Sequence, residues 1–326
     1  MSAHDLWFSD SLGNRLLRRL LTPASWLYAA GWQAYLGLYR TGVRRSKEPH
    51  HPVLCIGNLT VGGSGKSPLT LHVYDLMRSM GREVVVSGSG YGSPAAQGAQ
   101  MAPNGPLKAS EWGDEAAMLR WFRPEMRLVI GRNRVLAADL VHREFPDSVL
   151  LLDDGFQHLP LKKHLSILID EPTPPNSHCL PAGPYREPRG NRRRADLVLP
   201  SEFQIVWEFM GPFEAVTLEP VPKEAAAIQL LTAIARPERF VESLNALGFE
   251  VAQKSFLPDH DPLDAGNLLE SVDPNVPLVV TAKDWIKLKD RADIGSFRIW
   301  VAWNEASIQP AHEFDQILHA ALAKTP

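Results

Sequence analysis

The chain opens on a helical period. Leu12, Leu16, Leu17, Leu20 and Leu21 fall on one side of a helical wheel and Arg15, Arg18 and Arg19 on the other, which predicts a basic amphipathic helix. Thr22-Pro23 then reads as an N-cap followed by proline at the first helical position, the start of a second helix. No charge occurs over the 20 positions from Leu20 to Tyr39, a length that would reach across a bilayer. Pro23, Gly31, Gln33 and Gly37 dilute the stretch, while Trp26, Tyr28, Trp32, Tyr35 and Tyr39 suit a lipid–water interface. Interfacial association therefore ranks first, a helical pair packed on the body second, and a membrane span last.

Beyond residue 50 the pattern changes to short apolar runs alternating with helical stretches. Runs at 53–56, 83–86, 127–130, 149–152, 165–169 and 196–199 read as strands, and 69–80 reads as a helix closed by Gly81. Such alternation predicts an α/β fold with a mostly parallel sheet, its ligands beyond the carboxyl ends of the strands. After Pro200 a stretch with Pro212, Pro220 and Pro222 reads as linker. A strand at 228–234, a helix at 237–247 and strands at 278–280 and 299–301 then predict a second, smaller α/β domain. The expected division is 1–48 for N-terminal membrane-peripheral helices, 49–212 for the core and 213–326 for the C-terminal domain.

The run at 53–56 leads into Gly57-Asn58-Leu59-Thr60-Val61-Gly62-Gly63-Ser64-Gly65-Lys66-Ser67-Pro68. Strand, glycine-rich loop, Gly-Lys-Ser and helix form the context of a P-loop. Its N–H groups from Thr60 to Ser67 would curl around phosphates, Lys66 would add a mobile cation, and the Ser67 hydroxyl would ligate Mg²⁺. Thr60 stands where the first glycine is usual, so the loop is a variant. The second run ends in Asp153 and Asp154, as a strand delivering an acid to the Mg²⁺ shell does. Together these residues predict ATP and Mg²⁺ binding on a P-loop NTPase-like core.

Composition adds two limits. The 326 residues carry a net charge of −3 with 44% hydrophobic content, which favours a globular chain and gives no reason to expect nucleic acid as a partner. Nothing calls for an obligatory protein partner either. Residues 1–50 hold seven basic residues against three acidic ones, a net of +4, which leaves −7 on the remainder. That split suits a basic segment meeting an anionic membrane and an acidic body holding the cleft. Cys55 and Cys179 make no disulfide scaffold and no zinc pattern, which implies a reducing compartment.

Several further blocks follow the P-loop in order: Gly113-Asp114-Glu115, Asp153-Asp154-Gly155-Phe156-Gln157-His158, 180–188 (Leu-Pro-Ala-Gly-Pro-Tyr-Arg-Glu-Pro) and Pro258-Asp259-His260. With these blocks the sequence resembles the tetraacyldisaccharide 4′-kinases, from about Trp26 to about Leu288. The resemblance implies transfer of the ATP γ-phosphate to the 4′-hydroxyl of a tetraacyldisaccharide 1-phosphate, a lipid A precursor, giving lipid IV-A. It also implies a place on the cytoplasmic face of the bacterial inner membrane, peripheral, with the N-terminal helix on the lipid. It points to Asp114 as the base for the sugar hydroxyl, paired with His260. Glu115 would join Ser67 and Asp153 or Asp154 around Mg²⁺. Gln157, His158 and Arg186 would bind substrate, Arg186 by the bidentate geometry that suits a phosphate.

Without the resemblance, Asp114 reads equally as a helix N-cap after Gly113 and as a catalytic acid. The family's usual Ser-Arg-Gly-Tyr-Gly is Gly88-Ser89-Gly90-Tyr91-Gly92 here, its Thr-Glu-Lys-Asp is Thr281-Ala282-Lys283-Asp284, and an expected Asp is His164. The retained set favours an active kinase. The alternative is a divergent, inactive paralogue acting as a membrane-peripheral ATP-binding switch, which would need no acceptor base.

Overall fold

A computed structural model describes residues 3–63, 65–222, 227–259 and 261–323. Ser64 and His260 lie outside the described residues. The chain begins with helices α1 (Ala3–Phe8) and α2 (Leu12–Arg40). It continues through β1 (Val53–Asn58), α3 (Lys66–Ser79), β2 (Val84–Gly88), β3 (Gln100–Met101), α4 (Ala109–Trp112), α5 (Asp114–Phe122), β4 (Arg127–Ile130), α6 (Arg134–Glu144), β5 (Val149–Asp153), β6 (Leu165–Ile169) and β7 (Leu197–Leu199). The second part holds β8 (Gln204–Glu214), β9 (Ile228–Thr232), α7 (Pro237–Ala246), β10 (Val251–Phe256), β11 (Leu278–Thr281), α8 (Ala282–Leu288), β12 (Ile299–Gln309) and α9 (Ala311–Ala323).

The first sheet has the order β3-β4-β2-β5-β1-β6-β7 and is parallel except for β3. The second has the order β10-β9-β11-β12-β8, with β8 antiparallel to β12. The expected α/β class is thus observed, and both sheets are mostly parallel. Alternation sorts the side chains of β1: Leu54 and Ile56 face the side covered by α3 and α5, Val53 and Cys55 the side covered by α6. Each such fully buried aliphatic contributes about 1.5–3 kcal/mol. The α3 side shares one continuous core with the second sheet, through Leu231, Val280, Trp285 and Phe314.

Two expectations are corrected. The stretch read as linker is largely strand: residues 204–214 form β8, which pairs with β12 from Gln204↔Gln309 to Glu214↔Trp300. Its proline is tolerated because Pro212 lies where the register shifts between Val301 and Trp303, so no ladder bond is missed. The expected boundary at 212/213 falls inside this strand. The resulting ribbon reaches the first sheet's layer. The Ile308 N–H donates to His72 Nε2 on α3 at 3.3 Å, and Trp303 packs edge-on against Phe122 of α5 with centroids 5.2 Å apart.

The second correction concerns the N-terminus. Pro23 does not start a new helix; α2 runs through it for 29 residues. The real N-cap is Ser11, whose hydroxyl accepts from the Asn14 N–H at 3.3 Å. An interior proline removes one bond at a cost of about 3 kcal/mol, and anchors on both sides offset it. Thr22 Oγ1 donates to the Arg18 carbonyl at 2.8 Å, and Ser25 Oγ accepts from the Ala182 N–H at 2.9 Å. Downstream, Tyr28 Oη donates to the Arg186 carbonyl at 2.8 Å and Gln33 to Asn191 Oδ1 at 3.0 Å. Arg18 leaves the basic face to cap α1, donating to the carbonyls of Leu6, Trp7 and Ser9. Leu12, Leu16, Leu20, Trp26 and Leu27 are left exposed along α2. Among the described residues no helix is long and apolar enough to cross a membrane.

At the amino end of β1, His51 is buried, and neither ring nitrogen has a partner among the described residues. It stacks against His142 at 6.2 Å, and His142 against His50 at 4.7 Å. Burial, and then the neighbouring His142, His164 and His50, push the His51 pKa down to about 4. The unfolded chain therefore takes up a proton near pH 6.5 that the folded chain refuses, so stability falls as pH drops from there towards 4. His51→Leu should remove on the order of 3 kcal/mol of that acid-side loss, read as a flatter dependence of urea-unfolding free energy on pH than the wild type shows. An unchanged slope would count against this account.

Candidate active site

β1 delivers the chain to the site with one polar side chain at its end. Asn58 is fully buried and organises everything around it. Its Oδ1 accepts from Lys66 Nζ at 3.2 Å and from Arg186 Nη2, and its carbonyl accepts from Arg186 Nη2 and Gln157 Nε2, both at 2.9 Å. Gly57, just before it, is required because a Cβ there would come within 2.6 Å of Phe156 Cβ. The loop then turns into α3, whose N-cap Gly65 has φ +79°. Lys66 and Ser67 are the first two residues of that helix.

The 180–188 block runs beside the entry to this loop. The Val61 N–H donates to the Pro184 carbonyl at 2.8 Å, and the Arg186 N–H to the Leu59 carbonyl at 2.7 Å. Backbone pairing thus fixes Arg186 over Asn58. Its guanidinium clamps Asp154 through both oxygens, at 2.9 and 2.8 Å. Arg186 was expected on a substrate phosphate; here it is engaged by Asp154 and Asn58.

Asp153 and Asp154 are neighbours in opposite electrostatic states. Asp154 sits in the left-handed region at φ +57°. Burial acts to raise its pKa, but Lys66, with Nζ 3.7 Å away, and Arg186 outweigh it and hold it low. Asp153 ends β5 almost fully buried and accepts from Thr70 Oγ1 at 3.1 Å. Burial first, and then the nearby Glu115 charge, push its pKa up to about 7. The buried Arg134 holds the strand end in place by donating to the Asp153 carbonyl at 2.8 Å and to Ser87 Oγ at 3.0 Å.

A second wall comes from α5 and α8. Asp114 is the first residue of α5, after Gly113, and its Oδ1 accepts from the Glu115 N–H at 3.0 Å. Its carboxylate meets Lys283 Nζ at 3.4 Å and Lys287 Nζ at 3.9 Å. Asp114, Glu115 and Asp153 line one cleft with Ser89, Gly90 and Tyr91. Ser89, which replaces the family's arginine, accepts from the Tyr91 N–H at 3.3 Å. On the helix that carries both lysines, Asp284 is fully buried and accepts from the Thr232 and Thr281 hydroxyls at 2.7 Å each, which ties the start of α8 to β9.

Gln157 and His158 flank the other side. Gln157 also donates to Glu187 Oε1 at 3.1 Å, and Glu187 is held in turn by Arg194 and Asn191. Burial, and then Lys163 and Arg134, push the His158 pKa down to about 4, so the imidazole is neutral at physiological pH. Lys66, Gln157 and Arg186 thus converge on Asn58, and Asp154 is clamped beside them by Arg186 and Lys66. Asp153 lines the cleft with Asp114 and Glu115, and Ser67 follows Lys66 in α3. Sequence reasoning missed Asn58, Glu187, Arg134, Lys283 and Lys287. Asn58 carried a signal, as the polar residue closing an otherwise apolar strand.

Known proteins can be set beside this geometry. The model of the family described as tetraacyldisaccharide-1-P 4′-kinase matches residues 17–323. The chain belongs to that family. A tetraacyldisaccharide 4′-kinase of Shewanella woodyi is 32% identical over 88% of this chain and 86% of the relative. One of Pelobacter propionicus is 32% identical over 80% and 79%. Among solved structures, LpxK from Aquifex aeolicus in complex with ATP superposes with a TM-score of 0.80 at 25% identity, covering 94% of this chain and 99% of that one.

The clamp makes a direct prediction. In Arg186→Ala, burial acts on Asp154 against Lys66 and the more weakly felt Arg134 only, so its pKa should move up out of its depressed range. A carboxyl-carbon NMR titration checks this; an unmoved Asp154 would show that Arg186 contributes nothing to its ionisation.

Proposed function

We propose that this chain phosphorylates the 4′-hydroxyl of a tetraacyldisaccharide 1-phosphate at the expense of ATP. The observation that carries the reading is the position of Asp153, which lines a cleft with Asp114 and Glu115 and also feels the charge of Lys66. Lys66 and the loop would grip phosphates on one side of it, and Asp114 would receive a hydroxyl proton on the other. ATP binding is supported by the likeness to the ATP complex of LpxK.

The residues present fit Mg²⁺. No cluster of three His, Cys, Asp or Glu among the described residues could hold a metal by itself, which suits an ion that takes one or two carboxylates plus nucleotide phosphates. Asp153 is buried and crowded by Glu115, and the opposing pull of Lys66 does not bring its pKa back down. Asp153, Glu115 and Ser67 would hold the ion, and Asp154, already neutralised by Lys66 and Arg186, would orient Lys66. When bound, Mg²⁺ neutralises charge on the phosphates.

Asp114 orients the sugar hydroxyl and accepts its proton, with His260 as its partner on the family pattern. Lys283 and Lys287 close the cleft with positive charge from the second part of the chain. Gln157 and the neutral His158 line the pocket for the sugar. The exposed leucine row on α2, with Arg15 and Arg19, rests on the anionic cytoplasmic face of the inner membrane and keeps the acyl chains in lipid. The chain then divides into membrane-peripheral helices, a P-loop core and a smaller C-terminal domain.

With labelled ATP, Mg²⁺ and the disaccharide lipid, wild type should place phosphate on the lipid. Lys66→Ala should lower kcat/KM about 10²-fold or more, and Asp114→Asn should lower kcat while leaving ATP affinity nearly unchanged. Lipid that stays unlabelled with wild type sinks the proposal. Separately, Leu16→Asp with Leu20→Asp should weaken sedimentation with anionic vesicles about tenfold, measured against neutral vesicles; unchanged binding would remove α2 from the interface.

A further inference from the structure

The β8–β12 ribbon carries one aromatic side chain to the phosphate loop. Trp207 of β8 lies opposite Ala306 of β12. Its six-membered ring rests on Gly65 so closely that a Cβ there would meet Trp207 Cη2 at 2.1 Å and Cζ2 and Cζ3 at 2.9 Å. Gly65 is thus constrained twice, by its positive φ and by this ring. Yet Trp207 remains 45% exposed, whereas Trp300 and Trp285 are buried. Its neighbour Val206 is likewise open. An indole whose edge is held by the loop backbone and whose remaining surface is open is a preformed platform for a planar ring.

Its place in the site selects the ligand. Trp207 does not line the cleft around Asp114, where Tyr91 stands and where the acceptor hydroxyl is expected. It stands instead at the loop residue preceding Lys66. A nucleotide gripped by this loop with its terminal phosphate towards Asp114 carries its base away from that cleft. The platform cannot drift, because the ribbon is tied to α3 by the Ile308–His72 hydrogen bond and to α5 through Trp303.

We infer that Trp207 is the stacking surface for the purine base of the nucleotide, supplied to the P-loop by the second sheet. This rests on the ATP-binding reading above. Base stacking on an aromatic side chain is specific for a flat π-face and indifferent to the phosphates. The test is therefore calorimetry on the full chain with Mg²⁺ and two ligands, a non-hydrolysable ATP analogue and inorganic tripolyphosphate. Trp207→Ala should weaken the ATP analogue about tenfold, the scale of one lost stacked base, and leave tripolyphosphate unchanged. Trp207→Phe should recover most of the loss. Equal weakening of both ligands in Trp207→Ala would overturn the inference and make Trp207 a prop for the loop. An unchanged ATP affinity with a raised KM for the lipid would overturn it in favour of a sugar-stacking role. A wild type that binds tripolyphosphate no more weakly than the ATP analogue would overturn it too, and one that binds neither would sink the ATP reading itself.

Discussion

The bidentate pair between Arg186 and Asp154 is the contact on which the site depends. Both charges are largely removed from water, and such a pair stands only if its geometry is good and its remaining hydrogen-bond capacity is used. Here it is: Arg186 also reaches the carbonyl and side chain of Asn58, and Asp154 also faces Lys66. That arrangement joins three separate stretches of chain, the end of β1, the turn after β5 and the 180–188 segment. It holds Asp154 in a left-handed conformation that a non-glycine residue adopts only under constraint. Through the Arg186 carbonyl and Tyr28 it also reaches α2. Helix α2 and Asp154 are therefore one hydrogen-bond path apart.

Two adjacent aspartates do different work because their surroundings differ. Asp154 has Lys66, Arg186 and Arg134 beside it, and its pKa is held low. Asp153 has a hydroxyl, a nearby glutamate, almost no water and only the partly offsetting charge of Lys66, and its proton is held more tightly. On the proposed reading, a divalent ion would be the further positive charge that ionises it.

The second sheet completes what the first cannot. α8 brings Lys283 and Lys287 to Asp114, and the β8–β12 ribbon brings Trp207 to Gly65. Both deliveries come from one rigid source, since β11, from whose end α8 starts, pairs directly with β12. The shared core between the sheets joins this source to the first sheet.

Local physics made much of this readable in the chain. Strands β1, β4, β5 and β6 appear as apolar runs because parallel strands are covered on both faces, and the P-loop appears because its glycines and Lys-Ser must be consecutive to surround a phosphate. The family blocks point to Asp114, Asp153, Asp154 and Arg186. Two local signals misled. Thr22-Pro23 has the chemistry of a helix start, but distant anchors on Ala182 and Arg186 carry α2 through it. Pro212 has the look of a linker, but a register shift absorbs it within an 11-residue strand. Only the tertiary structure decided that Asn58 gathers the site, that Arg186 faces an aspartate, that Lys283 and Lys287 face Asp114, and that Trp207 covers Gly65. Those pairings include ones 32 residues apart, for Arg186 and Asp154, and 173 residues apart, for Lys287 and Asp114. No periodicity encodes them, because side-chain partners across a fold are chosen by where the backbone brings them and by which charges must leave water together.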